Sequence, residues 1–148
     1  MVKIEPYIHK VQYYETDRMG ITHHSNYIRW MEEARTDFLE QVGWPYEKTE
    51  KDGLLSPVLS VSCEYHEPTT FSDQVRIEVR ILKLNPVKFT VGYEMYHMGN
   101  GHLVVTGTSE HCLLNKDMKI VRFARVQPEV YRIFEEQAKA AENERLSE

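Results

Sequence analysis

The sequence predicts an α+β fold: a curved antiparallel sheet wrapped around one long central helix. Three observations lead there. Residues 25–42 carry apolar side chains at helical spacing. From Leu54 onward the apolar period changes from helical to two. The strand-like runs that follow are joined by short turn signals, and such connections imply antiparallel neighbours. A lone amphipathic helix must bury its apolar face, and a sheet curved around it is the simplest solution.

Residues 7–16 read as a first strand, with Ile8, Val11, Tyr13 and Tyr14 among polar neighbours. Residues 17–24 form a loop broken at Gly20. In the helix, Tyr27, Met31, Ala34, Phe38 and Val42 recur along one face, reinforced by Ile28 and Trp30. Arg29, Glu33, Thr36 and Glu40 line the other. Ser25 or Asn26 supplies the N-cap, and Gly43 stands where a helix-ending glycine belongs. The polar segment 45–53 has room for one short helical turn.

Leu59, Val61, Cys63 and Tyr65 then alternate with Ser60, Ser62, Glu64 and His66, and Pro68 ends that strand. Val75, Ile77, Val79 and Ile81 mark the next, closed by Asn85-Pro86. Phe89, Val91, Tyr93 and Met95 mark another. Gly99-Asn100-Gly101 is the strongest hairpin signal, since Asn-Gly accepts the positive φ that tight hairpins need. Residues 103–114 form a strand of less clean alternation, which suits a sheet face packed on a second subunit. Residues 118–123 read as a last strand. Pro128 opens a second helix to about residue 141, with Val130, Ile133, Phe134, Ala138 and Ala141 on one face, and a charged, fraying tail to residue 148.

The bulk numbers narrow the class. At 148 residues the chain fits one domain, taken to span 1–148. A hydrophobic fraction of 41% with 28% charged residues suits a soluble globular protein. The net charge of −5 argues against nucleic acid as partner, because phosphate binding needs a basic face. No stretch is long and apolar enough to span a membrane. The first residues, MVKIEPYIHKV, lack the apolar run of a signal peptide. Cys63 and Cys112 show neither metal spacing nor a disulfide framework and read as reduced thiols of a cytoplasmic protein.

Chemistry concentrates between Thr16 and Ser25. Asp17, His23, His24 and a helix start fall within those ten residues. A carboxylate can act as nucleophile or as general base on water. A helix N-terminus offers unpaired N–H groups and about half a positive charge. Together they can attack and polarise a carbonyl. Asp17 alone would pass for a turn former, and His24 for a capping or interface residue. His23 reads as structural. A metal site built from His23, His24 and Asp17 is conceivable but disfavoured, because adjacent histidines point apart and no further ligand is placed. Glu32 and Arg35 pair along the helix, with Glu32 and Glu33 as reserve carboxylates.

Taken together, Tyr13, Thr16, Asp17, Gly20, His24, Asn26, Tyr27, Trp30, Glu32 and Arg35 resemble the signature of hotdog-fold acyl-CoA thioesterases of the 4-hydroxybenzoyl-CoA thioesterase-like group. A weaker match runs through Tyr65, Pro68, Phe71 and Asp73, and the strand pattern fits to about Phe123. His23 and Ser25 depart from the residues common among relatives.

The resemblance implies a hotdog fold and hydrolysis of an acyl-CoA thioester to a free acid and coenzyme A, without metal or other cofactor. It implies Asp17 as the essential carboxylate and His24 and Tyr13 as accessory catalytic residues. It also implies an acyl site between the subunits of a homodimer or homotetramer. A thioester suits this sparse set, since its leaving thiol has a pKa of about 8.5. Amides around His24 and Ser25 would then face the thioester oxygen. Ser25, Asn26 and Tyr27 are expected at the substrate. Of the cations available for coenzyme A phosphates (Lys83, Lys88, Arg80, Arg122 and Arg125), Lys88 is favoured by its place after Asn85-Pro86. Two rivals stand beside this reading. A hydroxyacyl-thioester dehydratase would form an alkene without releasing thiol. A non-catalytic acyl-thioester or protein-binding module would release none from any substrate.

Overall fold

The computed structural model describes residues 1–147. In chain order it runs β1 (Tyr7–Lys10), α1 (Ser25–Gln41), α2 (Tyr46–Lys51), β2 (Val58–Tyr65), β3 (Gln74–Leu84), β4 (Lys88–His97), β5 (Leu103–Leu114), β6 (Ile120–Val121), α3 (Phe123–Val126) and α4 (Pro128–Leu146). The sheet order is β1-β3-β4-β5-β2, with β6 beside β5, and every pairing is antiparallel. The curved sheet with one long helix in its hollow is the hotdog fold.

Helix α1 forms where the apolar period demanded it. Tyr27, Trp30, Met31, Ala34, Phe38 and Leu39 are buried and share one core with Ile77, Ile81, Val91, Tyr93, Met95 and Val105 of the sheet. Gly107 allows the close fit. A Cβ there would stand 2.9 Å from the Ser62 carbonyl and 3.1 Å from the Met31 side chain. Helix α4 adds Phe134, which meets Phe38, Phe89 and Phe123 at ring distances of 5.7, 5.2 and 5.1 Å. Strand β1 covers only Gln74–Ile77 of β3. Farther along β3, Arg80 Nε bonds Glu144 of α4 at 2.8 Å.

Three expectations are corrected. The first strand stops at Lys10, and residues 13–15 make a 3₁₀ turn. The cause is Glu15, whose carboxylate folds back to accept the Gln12 N–H at 2.8 Å. The last strand shrinks to Ile120–Val121, because Met118 turns at φ 62° and Phe123 already opens α3. The α4 helix continues past residue 141 to Leu146, held by Arg145–Glu142 and Arg80–Glu144 ion pairs; Glu148 lies outside the described residues. The uneven alternation of β5 is matched by burial of neighbouring residues near its ends, Val104 with Val105 and Cys112 with Leu113.

Strand β2 is an edge of the sheet. Val61 and Tyr65 are 43% and 48% exposed despite their apolar pattern.

Candidate functional site

Two ties close the loop that carries Asp17. Thr16 and Thr22 form an antiparallel bridge, and Asp17 N–H donates to the Ile21 carbonyl at 2.8 Å. Within it, Asp17 Oδ1 accepts the Met19 N–H at 2.8 Å, a side-chain turn that suits aspartate. Gly20 takes φ 81°, which lacking a Cβ makes easy.

Glu15 joins this loop to α1. Its buried carboxylate accepts from Trp30 Nε1 at 2.7 Å, from Gln12 N–H at 2.8 Å and from His9 Nε2 at 2.9 Å. The His9 ring lies 4.3 Å from that of Trp30. Burial works to raise the Glu15 pKa, but the hydrogen bonds from Trp30, Gln12 and His9 outweigh it and hold the group below the ordinary carboxylate value. The Glu15 carbonyl accepts the His23 N–H at 2.8 Å and Asn26 Nδ2–H at 2.9 Å. One residue thus fixes the strand end, the loop exit and the helix start.

At that start Ser25 is the first helical residue and not the cap, which is His24. The Ser25 N–H and hydroxyl both turn to His23 Nδ1, at 3.2 and 2.8 Å. Asn26 N–H donates to the His23 carbonyl at 3.0 Å and Tyr27 N–H to the His24 carbonyl at 3.4 Å. The His24 N–H has no partner among the described residues. Asn26 is buried, and Tyr27 bonds Thr69 Oγ1 through its hydroxyl at 2.9 Å. Burial pushes the Tyr27 phenol up.

The anticipated residues fall into two hollows. Asp17, Tyr13, Ser25 and Asn26 line one, joined by His23 and Arg29. His24 and Tyr27 line the other, with Tyr65, His66, Ile21 and Pro68. The two histidine rings stack at 4.3 Å, one for each hollow. Tyr13 does not pack its ring into the core; it is 75% exposed and meets Phe71 edge-on at 5.6 Å. Lys88 lines neither hollow, and its Nζ lies 3.7 Å from Glu110. Among the described residues no group of three or more His, Cys, Asp or Glu side chains could hold a metal ion, and no helix is long and apolar enough to cross a membrane.

Residues 11–134 match the model of the thioesterase-like superfamily. The chain belongs to this family. Among its relatives is a Bacillus subtilis protein named "Putative acyl-CoA thioesterase YneP", 34% identical over 131 residues, which span 88% of this chain and 94% of that protein. A crystal structure of a hypothetical protein from Aquifex aeolicus superposes with a TM-score of 0.79 at 36% identity, over 85% of this chain and 98% of the other. The structure of a DHNA-CoA thioesterase from Staphylococcus aureus gives a TM-score of 0.85 at 28% identity, over 95% and 93%.

In this thioesterase-like chain, sequence reasoning passed over Glu15 as the residue that ties the loop to α1. Glu15 carried one local signal, its place three residues after Gln12, whose N–H it accepts; its bond to Trp30, 15 residues on, carried none.

Proposed function

We propose that the protein hydrolyses an acyl-CoA thioester to a free carboxylic acid and coenzyme A. Asp17 either attacks the carbonyl carbon, forming a mixed anhydride that water then opens, or takes a proton from the attacking water. The thioester oxygen faces the start of α1. The observation that carries this reading is the open His24 N–H at the head of a 17-residue helix, next to a loop whose carboxylate keeps Oδ2 unengaged among the described residues. Helix dipole and amide together favour a developing oxyanion. The family supports the reaction class, and relatives named as acting on acyl-CoA support the carrier.

The acyl group extends toward the hollow of His24 and Tyr27, where Ile21, Tyr65 and Pro68 add apolar and aromatic surface beside the polar Thr22, His66 and Glu67. Tyr65 stands at the end of the edge strand β2. A second copy paired along β2 would continue the sheet and roof this hollow, so the working unit is at least a homodimer.

The test is thiol release from short, long, branched and aromatic acyl-CoAs by wild type and Asp17→Asn. Wild type should turn over at least one class, and the variant should lose on the order of 10²–10⁴-fold in kcat. A folded variant with full activity would overturn the role of Asp17. Alkene formation without thiol would point to a dehydratase instead.

A further inference from the structure

Asn26 borders the Asp17 hollow, yet the residue is buried and its amide nitrogen turns to backbone. Nδ2 donates to the Glu15 carbonyl at 2.9 Å and to the His23 carbonyl at 3.3 Å. An amide nitrogen carries two N–H groups, so both are engaged. The residue choice is narrow. Two carbonyls need two donors on one short side chain. Aspartate would set acceptors against acceptors, serine has one proton and alanine none.

The His23 carbonyl belongs to the peptide group whose N–H is that of His24. It also accepts the Asn26 backbone N–H at 3.0 Å. A trans peptide is planar, with its C=O and N–H pointing opposite ways, and the chain has no cis bond among the described residues. Bonds that hold this carbonyl on one side therefore aim the His24 N–H to the other. That N–H is the open amide at the head of α1. The other side of His23 is held too, because its own N–H bonds the Glu15 carbonyl at 2.8 Å, the same oxygen that takes Asn26 Nδ2. One side chain thus braces both peptide groups that flank His23. Bonds to a peptide carbonyl also polarise the group and strengthen its N–H as a donor, by about 10–30% each.

We propose that Asn26 is a positioning residue for hydrolysis: it locks the His23–His24 peptide so that the His24 N–H meets the developing oxyanion. This rests on the thioesterase reading and deepens it. Asn26 acts through that amide and needs no contact with the acyl group or its carrier. Each carbonyl keeps a backbone N–H without it, from His23 for Glu15 and from Asn26 itself for His23. Loss of the side chain therefore shows in the chemistry more than in the fold.

The experiment compares wild type, Asn26→Ala and the nearly isosteric Asn26→Asp. The readouts are thiol release from the acyl-CoA that wild type turns over fastest, and the NMR order parameter of the His24 N–H in the free protein. Both variants should lose about tenfold to a hundredfold in kcat, with KM held within about twofold. The His24 order parameter should drop from about 0.85 to below about 0.6 while the rest of α1 stays rigid. A merely structural residue would loosen the whole helix, and a substrate ligand would raise KM. Unchanged kcat overturns the proposal, whether or not KM rises. So does a fall in kcat with the His24 amide as rigid as before, or with α1 loosened throughout. If wild type releases no thiol from any acyl-CoA, the thioesterase reading falls and the order parameter alone decides the lock. His24 loosened by itself sustains it; His24 unmoved, or all of α1 loosened, overturns it.

Discussion

Trp30 donates its indole N–H to Glu15 Oε2 at 2.7 Å, joining the core face of α1 to the turn that precedes Asp17. The bond reaches the functional loop through Glu15 itself, whose carbonyl holds His23 and Asn26. Trp30→Phe keeps most of the buried ring and removes the donor. A buried carboxylate one bond short costs about 1–3 kcal/mol. Chemical denaturation at pH 7 should show that loss, and kcat should fall with KM nearly unchanged, because the loop and the helix start lose their register.

The same carboxylate has a pH signature. Its folded pKa lies below the ordinary 4.5, so its contribution to stability is present above that value and fades as pH falls through the folded pKa. The difference in unfolding free energy between wild type and Glu15→Gln should therefore be level from pH 7 to 5 and shrink below 4.5. A constant difference down to pH 3 would contradict the assignment.

His111 titrates in a separate window. It is buried, bonded to Ser109 Oγ at 2.7 Å and stacked on Phe89 at 5.1 Å. Burial, with the Arg35 charge nearby, lowers its pKa from 6.5 to about 4. The unfolded chain therefore binds a proton first, and stability is full above pH 6.5 and declines as pH falls toward 4. The decline attributable to this group is on the order of 3 kcal/mol. Unfolding measured across that range should be clearly less pH-dependent in His111→Gln than in wild type.

The parts of the fold set by periodicity and turn chemistry were legible in the sequence. Tyr27 to Val42 announced α1, and Gly99-Asn100-Gly101 announced the β4–β5 hairpin, where Gly101 indeed takes φ 76°. Tyr13 and Tyr14 read as strand because aromatic residues favour strands, whereas their backbone is set by Glu15 folding back on the Gln12 N–H, with its second oxygen held by distant Trp30. The exposure of Val61 and Tyr65 follows from the edge position of β2, a property of strand order that alternation does not carry. At the site, Asp17 and the helix start were visible as a motif. That adjacent histidines serve different hollows was anticipated; that their rings nevertheless stack at 4.3 Å was not, because it depends on the backbone at the helix start.

Gly107 offers a test of the packing that supports the site. An alanine Cβ would press on the Ser62 carbonyl at 2.9 Å, and backbone of a paired strand does not yield easily. The second neighbour, Met31, is flexible and can give way. Gly107→Ala should cost about 1–3 kcal/mol. Adding Met31→Ala should not restore it, since the carbonyl contact remains. Full rescue in thermal melts would mean that the strand pair, not the helix, accommodates the extra carbon.

The free edge of β2 yields the last expectation. Val61 is 43% exposed on a strand that pairs with β5 on one side only. An apolar edge left open in this way invites another strand, and a charge placed there blocks it. Val61→Glu should leave the secondary structure intact, since the side chain already reaches solvent. Light scattering should then report the mass of one chain where wild type reports two or more. Thiol release should fall together with the assembly, because Tyr65 at the end of the same strand walls the His24 hollow. A variant that becomes monomeric and keeps full activity would place the whole site within one chain.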